Sequence, residues 1–149
     1  MKLLRLLPLL LLLCGCAREV SPVSALALDC KNGVYCLTAE VVRQDSPDDT
    51  AAPAYLSATG TDVTDALRNL RSILPGDLYL SHAQVLLLSE EAVPESILPL
   101  ADYLCRENDV RLSLRAAVVR DGSAAELLEN DNEVYALSEL LDRSAQDGI

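Results

Sequence analysis

The run Val85-Leu86-Leu87-Leu88 is apolar on four successive residues. Successive side chains of a strand point to opposite faces, so a strand of this composition has to be covered on both sides. It is therefore read as the central strand of the sheet, with other layers packed above and below it.

The segments around it supply those layers. Ser24 to Arg43 reads as a hairpin: Ala25–Cys30 and Tyr35–Arg43 are rich in strand formers, and Asn32-Gly33 between them signals a type I′ turn. In the second arm Tyr35, Leu37, Ala39 and Val41 share one face, with Thr38 and Glu40 on the other. Gln44 to Pro53 is an acidic loop bracketed by prolines. Its three aspartates lack the glycine and terminal glutamate that a calcium loop needs, so it is a solvated connection.

Ala54–Thr59 is a short strand broken at Gly60. Thr61 then opens a helix with Val63, Ala66, Leu67, Leu70, Ile73 and Leu74 at three-and-four spacing, ended by Pro75-Gly76. Leu78–Leu80 is strand-like. After Val85–Leu88 comes a helical region with Ile97, Leu98, Ala101, Leu104 and Cys105 on one side, where Pro99 belongs in a first turn or else kinks the helix. Arg111–Arg120 alternates, with Leu112, Leu114, Ala116 and Val118 inward and Arg111, Ser113 and Arg115 outward. Asp121-Gly122 turns the chain into a capping box, Ser123 to Glu126, that starts a helix over Ala124–Glu129. A last amphipathic helix covers Ala136–Ala145. Alternating strands and helices of this kind predict an α/β (α+β) fold: a mixed β-sheet with an N-terminal hairpin, covered by three or four helices. Crossovers between parallel strands are expected to be right-handed.

The N-terminus is of another kind. Lys2 and Arg5 precede a leucine run that ends at Gly15 and contains Pro8. A membrane-crossing helix needs about 20 apolar residues, and this run is shorter. A positive start, a short apolar middle and a small residue at the end describe a signal peptide over residues 1–15. Leu13-Cys14-Gly15-Cys16 resembles a bacterial lipobox, with the small residue directly before Cys16 and the aliphatic one three before it; Cys14 has Leu13 directly before it. Cys16 is thus the expected lipidation site and first residue of the mature chain, with residues 16–24 as a lipidated tether and 25–149 as a globular domain. The alternative is an ordinary secretory signal or an uncleaved anchor. One acyl chain holds a protein only marginally and two hold it stably, so a diacylglyceryl thioether would serve as anchor without a spanning helix.

Removing Lys2 and Arg5 leaves ten basic and 23 acidic residues, a mature net charge of −13. Such a surface is repelled by nucleic acid and by anionic head groups, so no nucleic-acid partner is expected and the membrane contact rests on lipid. Cys30, Cys36 and Cys105 remain after processing, an odd count. An oxidising exterior permits a disulfide between Cys30 and Cys36 across the turn. A two-residue turn at Asn32-Gly33, however, points the two thiols to opposite faces. Cys105 is expected as a small buried hydrophobe.

A catalytic constellation is not visible. His82 is the one histidine and follows LYLS, a position typical of a structural histidine. It could pair with Cys105, but no oxyanion donor or orienting carboxylate can be assigned beside them. There is no GxSxG, P-loop or GxGxxG, and no second ligand cluster for zinc, so neither catalysis nor a cofactor or metal is expected. Glu90-Glu91 is expected to favour the positive end of a helix dipole. Without Trp or Phe, a stacking site for a sugar or nucleobase has no platform.

Five segments in order carry a resemblance: the lipobox, ALALDCKNGVYCLTAEVV, SATGTDVTDALRNL, LYLSHAQVLLLSEEAV and DVRLSLRAAVVRDGSAAELLE. The succession resembles the N-terminal domain of the Ger(x)C spore-germination lipoproteins, the C subunits of nutrient germinant receptors. It departs from that pattern at Ala17-Arg18-Glu19, where the family usually has a tryptophan and an aspartate, and family members continue beyond this domain. The resemblance implies a non-enzymatic subunit, lipid-anchored at Cys16 on the outer face of the spore inner membrane, beside integral-membrane A and B subunits. The competing reading is a small envelope lipoprotein that serves as a binding or assembly module unrelated to germination.

Overall fold

The computed structural model describes residues 19–42, 53–106, 110, 113–130 and 134–147. Residues 1–18 with Cys14 and Cys16, nearly all of the acidic loop, and Arg111 and Leu112 lie outside these residues.

Strand β1 (Val20–Lys31) turns at Asn32-Gly33 into β2 (Val34–Val41). Both turn residues have positive φ, 53° and 75°, which the type I′ turn requires and which asparagine and glycine tolerate. The chain continues as β3 (Ala54–Gly60), α1 (Val63–Ile73), β4 (Asp77–Tyr79), β5 (Val85–Ser89), α2 (Val93–Arg106), β6 (Arg115–Val119), α3 (Ala124–Asn130) and α4 (Val134–Asp147). The strands form one mixed sheet in the order β3-β2-β1-β5-β6, with β4 also paired to β1. This is the expected α/β architecture, an N-terminal hairpin within a sheet covered by four described helices.

β1 is the backbone of the arrangement. It pairs antiparallel with β2 along one side. Along the other it pairs parallel first with β4, Val20 opposite Asp77, and then with β5, Ala25 opposite Val85. A bulge between Val23 and Ala25 marks the change of partner. The middle of the sheet therefore belongs to β1 and not to Val85–Leu88. β5 is buried throughout, as its composition demands, but it lies one place further out, between β1 and β6. In β1 the two buried faces differ in size. Leu26 and Leu28 meet the cluster under α1 and α2, while Ala25 and Ala27 admit α3 on the other side.

Val20–Ser24 also belong to β1, although the sequence suggested a tether. Ser21 and Val23 are buried, and Asp77 N–H donates to the Glu19 carbonyl at 3.1 Å. Helix α1 starts one residue later than expected. Asp62, not Thr61, caps it, its carboxylate accepting from Asp65 N–H at 2.8 Å. Ile73, expected inside, is exposed.

Two further faces differ from the sequence reading. In α2 the buried positions are Ser96 and Leu100, with Val93, Tyr103 and Leu104 partly buried. Ile97, Leu98, Ala101 and Cys105 are exposed. Ser96 faces the core because its hydroxyl donates back to the Ala92 carbonyl, so a polar residue could occupy the inner stripe. Pro99 lies inside α2 rather than in its first turn. In β6 it is Ala117 and Val119 that pack inward, against the cluster beneath α3 and α4, while Ala116 and Val118 are exposed. β6 is an edge strand, and helix packing on only one of its faces decides which alternate set is covered.

Candidate functional site

Parallel strands β1, β5 and β6 end side by side, and a cleft of about 580 Å³ opens at their carboxyl ends. Open α/β sheets bind ligands in such a place because strand-to-helix loops diverge there. The lining comes from three separate stretches: Asp29-Cys30-Lys31 ending β1, Ser89-Glu90-Glu91 ending β5, and Val119 with Asp121-Gly122-Ser123 and Glu126 after β6. Those stretches belong to three of the segments that carried the family resemblance.

Asp29 organises one wall. Its Oδ1 accepts from Ala124 N–H at 2.8 Å; its Oδ2 accepts from Ala125 N–H at 2.9 Å and from the Ser123 hydroxyl at 3.0 Å. Ser123 Oγ in turn accepts from Glu126 N–H at 3.3 Å. The first three amides of α3 are thus satisfied, two of them by a carboxylate from a distant strand, which also opposes the positive end of the helix. Ser123 caps as its sequence position predicted. The Asp29 contribution has no local signal, because the two residues lie 94 positions apart.

Ser89 fastens the opposite wall. It is buried, and its Oγ accepts from Cys30 N–H at 3.2 Å. Glu90 N–H donates to the Val119 carbonyl at 3.2 Å, so the loop after β5 stays on the sheet ladder. Asp121 takes a positive φ of 54°, which aspartate tolerates better than most residues. Glu90, Glu91, Asp121 and Glu126 are exposed around the rim. Glu90 and Glu91 stand in the turn before α2 and not inside its first turn.

A second polar group lies beneath the sheet on the α3 side. Glu40 is 6% exposed, and its carboxylate accepts from the Ser24 hydroxyl at 2.5 Å and the Tyr55 phenol at 3.1 Å. Burial, with the neighbouring Glu40 charge second, pushes the Tyr55 phenol up to about 12. Thr38 and Ser57 share a hydroxyl bond of 2.8 Å one row further along. These bonds satisfy buried polar atoms and leave the group structural in character.

Of the remaining sequence candidates, Cys30 belongs to the cleft lining, while His82 and Cys105 are not among its lining residues. His82 is exposed in the turn between β4 and β5, its ring 6.0 Å from that of Tyr79. Cys105 is exposed near the end of α2, not buried as its helical pattern suggested. Cys30 lies opposite Tyr35 and Cys36 opposite Asp29, so the two thiols fall on opposite faces of the hairpin, and both are free. Burial pushes the Cys36 thiol up, opposed by a hydrogen bond from Thr38 and reinforced by Asp29 and Glu129. Among the described residues no three His, Cys, Asp or Glu side chains are grouped to hold a metal ion. Also among them, no helix is long and apolar enough to cross a membrane.

The cleft therefore offers a shaped acidic surface whose central carboxylate and hydroxyl are occupied with holding α3 in place. That is an α/β domain with its cleft at the carboxyl ends of the parallel strands. The family model described as "Spore germination protein N-terminal domain" matches residues 18–149, and the chain belongs to this GerAC-type family. No curated protein and no solved structure matches the chain significantly.

Proposed function

We propose that this chain is the lipid-anchored, non-catalytic C subunit of a spore nutrient germinant receptor. It is held through Cys16 to the outer face of the spore inner membrane, beside the integral-membrane A and B subunits. The observation that carries this reading is the position of the family match, which begins at residue 18, directly behind Leu13-Cys14-Gly15-Cys16. A folded acidic domain that starts within a few residues of a lipobox suits a subunit fixed close to a bilayer by acyl chains while spanning partners cross it. The polar groups of the cleft serve the fold, in keeping with a subunit that assembles and does not turn over substrate.

The test combines labelling and germination. Sporulating cells are fed a radioactive fatty acid, and the protein with Cys16 is compared with Cys16→Ala. Label in the first and none in the second, together with a slowed response of Cys16→Ala spores to nutrient, is the expected result. Label retained in Cys16→Ala, or a deletion strain lacking every related receptor operon that still responds as before, overturns it.

A further inference from the structure

The anchor and the cleft lie at opposite ends of the same strand, and this gives the domain an orientation. β1 is paired from its first residue, Val20, and the preceding Glu19 is already hydrogen-bonded through its carbonyl to Asp77 N–H. Only Ala17, Arg18 and Glu19 separate Cys16 from Val20, a span of at most about 14 Å. β1 has twelve residues, so its far end at Lys31 is about 36 Å further along.

Several chain segments converge on the Val20 end. Helix α1 runs back from the cleft end and finishes there. Gly76, three residues after Ile73, donates its N–H to Ser21 Oγ at 3.2 Å, and a Cβ on it would lie 2.7 Å from the Glu19 backbone. β2 also finishes there, with Val42 N–H donating to the Pro22 carbonyl at 2.9 Å. The apolar side chains these segments leave in solvent are Val20, Val42 and Ile73, exposed by 39%, 45% and 48%.

We infer that this rim of Val20, Val42 and Ile73 is a membrane-contact surface that rests on the bilayer interface beside the lipidated Cys16, turning the acidic cleft outward. The inference rests on the lipid anchor proposed above. Three linking residues cannot carry the rim far from the head groups, and apolar side chains held at a bilayer interface leave water. Charge does not contribute attraction, because the chain is acidic overall and Glu19 and Asp77 are exposed at this same end. The occupant is therefore an acyl-headgroup boundary and not an anionic head group as such.

The chain contains no tryptophan, so single tryptophans report position without background. Mature lipidated protein carrying Val42→Trp or Ile73→Trp is reconstituted in phosphatidylcholine–phosphatidylglycerol vesicles with bromine on the upper acyl chain. Val34→Trp, at the hairpin turn and 50% exposed, is the distal control. Brominated lipid should roughly halve the emission at positions 42 and 73 and leave that at 34 unchanged. Protein that floats with the vesicles but is quenched equally at both ends, or at neither, overturns the orientation and leaves the anchor standing. Protein that fails to float overturns the anchor, and the orientation with it.

Discussion

Asp29, near the end of β1, caps the helix that begins at Ala124, 95 residues later in the chain, through a 2.8 Å bond to its amide. One carboxylate holds the N-terminus of α3 against the sheet and closes one wall of the cleft. A hydrogen bond to a charged group contributes about 1.5–3 kcal/mol, and a helix N-cap about 1. Asp29→Ala is therefore expected to destabilise the domain by about 2 kcal/mol, Asp29→Asn by about half that, and Ser123→Ala by about 1 kcal/mol. Urea denaturation followed by circular dichroism measures this; an unchanged midpoint in Asp29→Ala would show that α3 is held by packing alone.

The face of α2 is tested by a pair of leucines two residues apart. Leu100 is 2% exposed and Leu98 is 79% exposed. Burying a leucine and then truncating it leaves a cavity, so Leu100→Ala should cost about 2–5 kcal/mol. Leu98→Ala should stay within about 0.5 kcal/mol of the parent. The reverse ranking in thermal or urea melts would mean that the helix is rotated from its described position.

Gly60 ends β3 where α1 passes close. A Cβ there would stand 2.2 Å from the Ala66 amide nitrogen and 2.8 Å from its Cα, so backbone would have to move. Gly33 has open space around it but a φ of 75°. Gly33→Ala should cost about 1 kcal/mol, the ordinary penalty of a left-handed alanine. Gly60→Ala should cost several times more, or yield no soluble protein. Equal, small losses at both positions would contradict the tight approach of α1 to β3.

Alkaline pH should expose the Tyr55–Glu40 contact. The phenol is raised to about 12 in the folded protein, against 10.0 for an ordinary tyrosine. Between these values the unfolded chain releases the proton and the folded chain keeps it, so stability falls as pH rises from about 10 to about 12. The contribution is fully present below pH 10. Tyr35 is raised as well, first by burial and then by Cys30 and Glu95, and adds to the same trend. Tyr55→Phe should lessen the alkaline loss, read as a shallower fall of the melting temperature over that range. A slope identical to the parent would remove Tyr55 as the cause.

The thiols should separate by reactivity. Cys105 is exposed, whereas Cys36 is half-buried with its thiol pushed up by burial. Thiolate is the reacting form, so at neutral pH iodoacetamide should label Cys105 first and Cys36 well after it, as read by peptide mass mapping. Mass mapping of unreduced protein isolated from spores also shows whether Cys30 and Cys36 remain free there. Cys36 reacting ahead of Cys105 would contradict the burial described for β2.

The local elements were legible in the residues because their causes are local. Two positive-φ residues at Asn32-Gly33 make a hairpin wherever the flanking segments are strands. Three-and-four spacing from Val63 to Leu74 makes a helix, and an unbroken apolar run at Val85–Leu88 must be covered on both sides. The order of segments also carried the family, since order is a property of the chain itself. The tertiary structure decided the rest, because burial depends on which neighbours arrive. It made β1 the middle strand, covered β6 on the Ala117 face, and turned Leu98 of α2 to solvent while Ser96 went inside. It also brought Asp29 beneath α3, a pairing invisible in sequence because nothing near either residue requires it. Local spacing can name an element and its period, but only the packing of distant elements selects the face that leaves water.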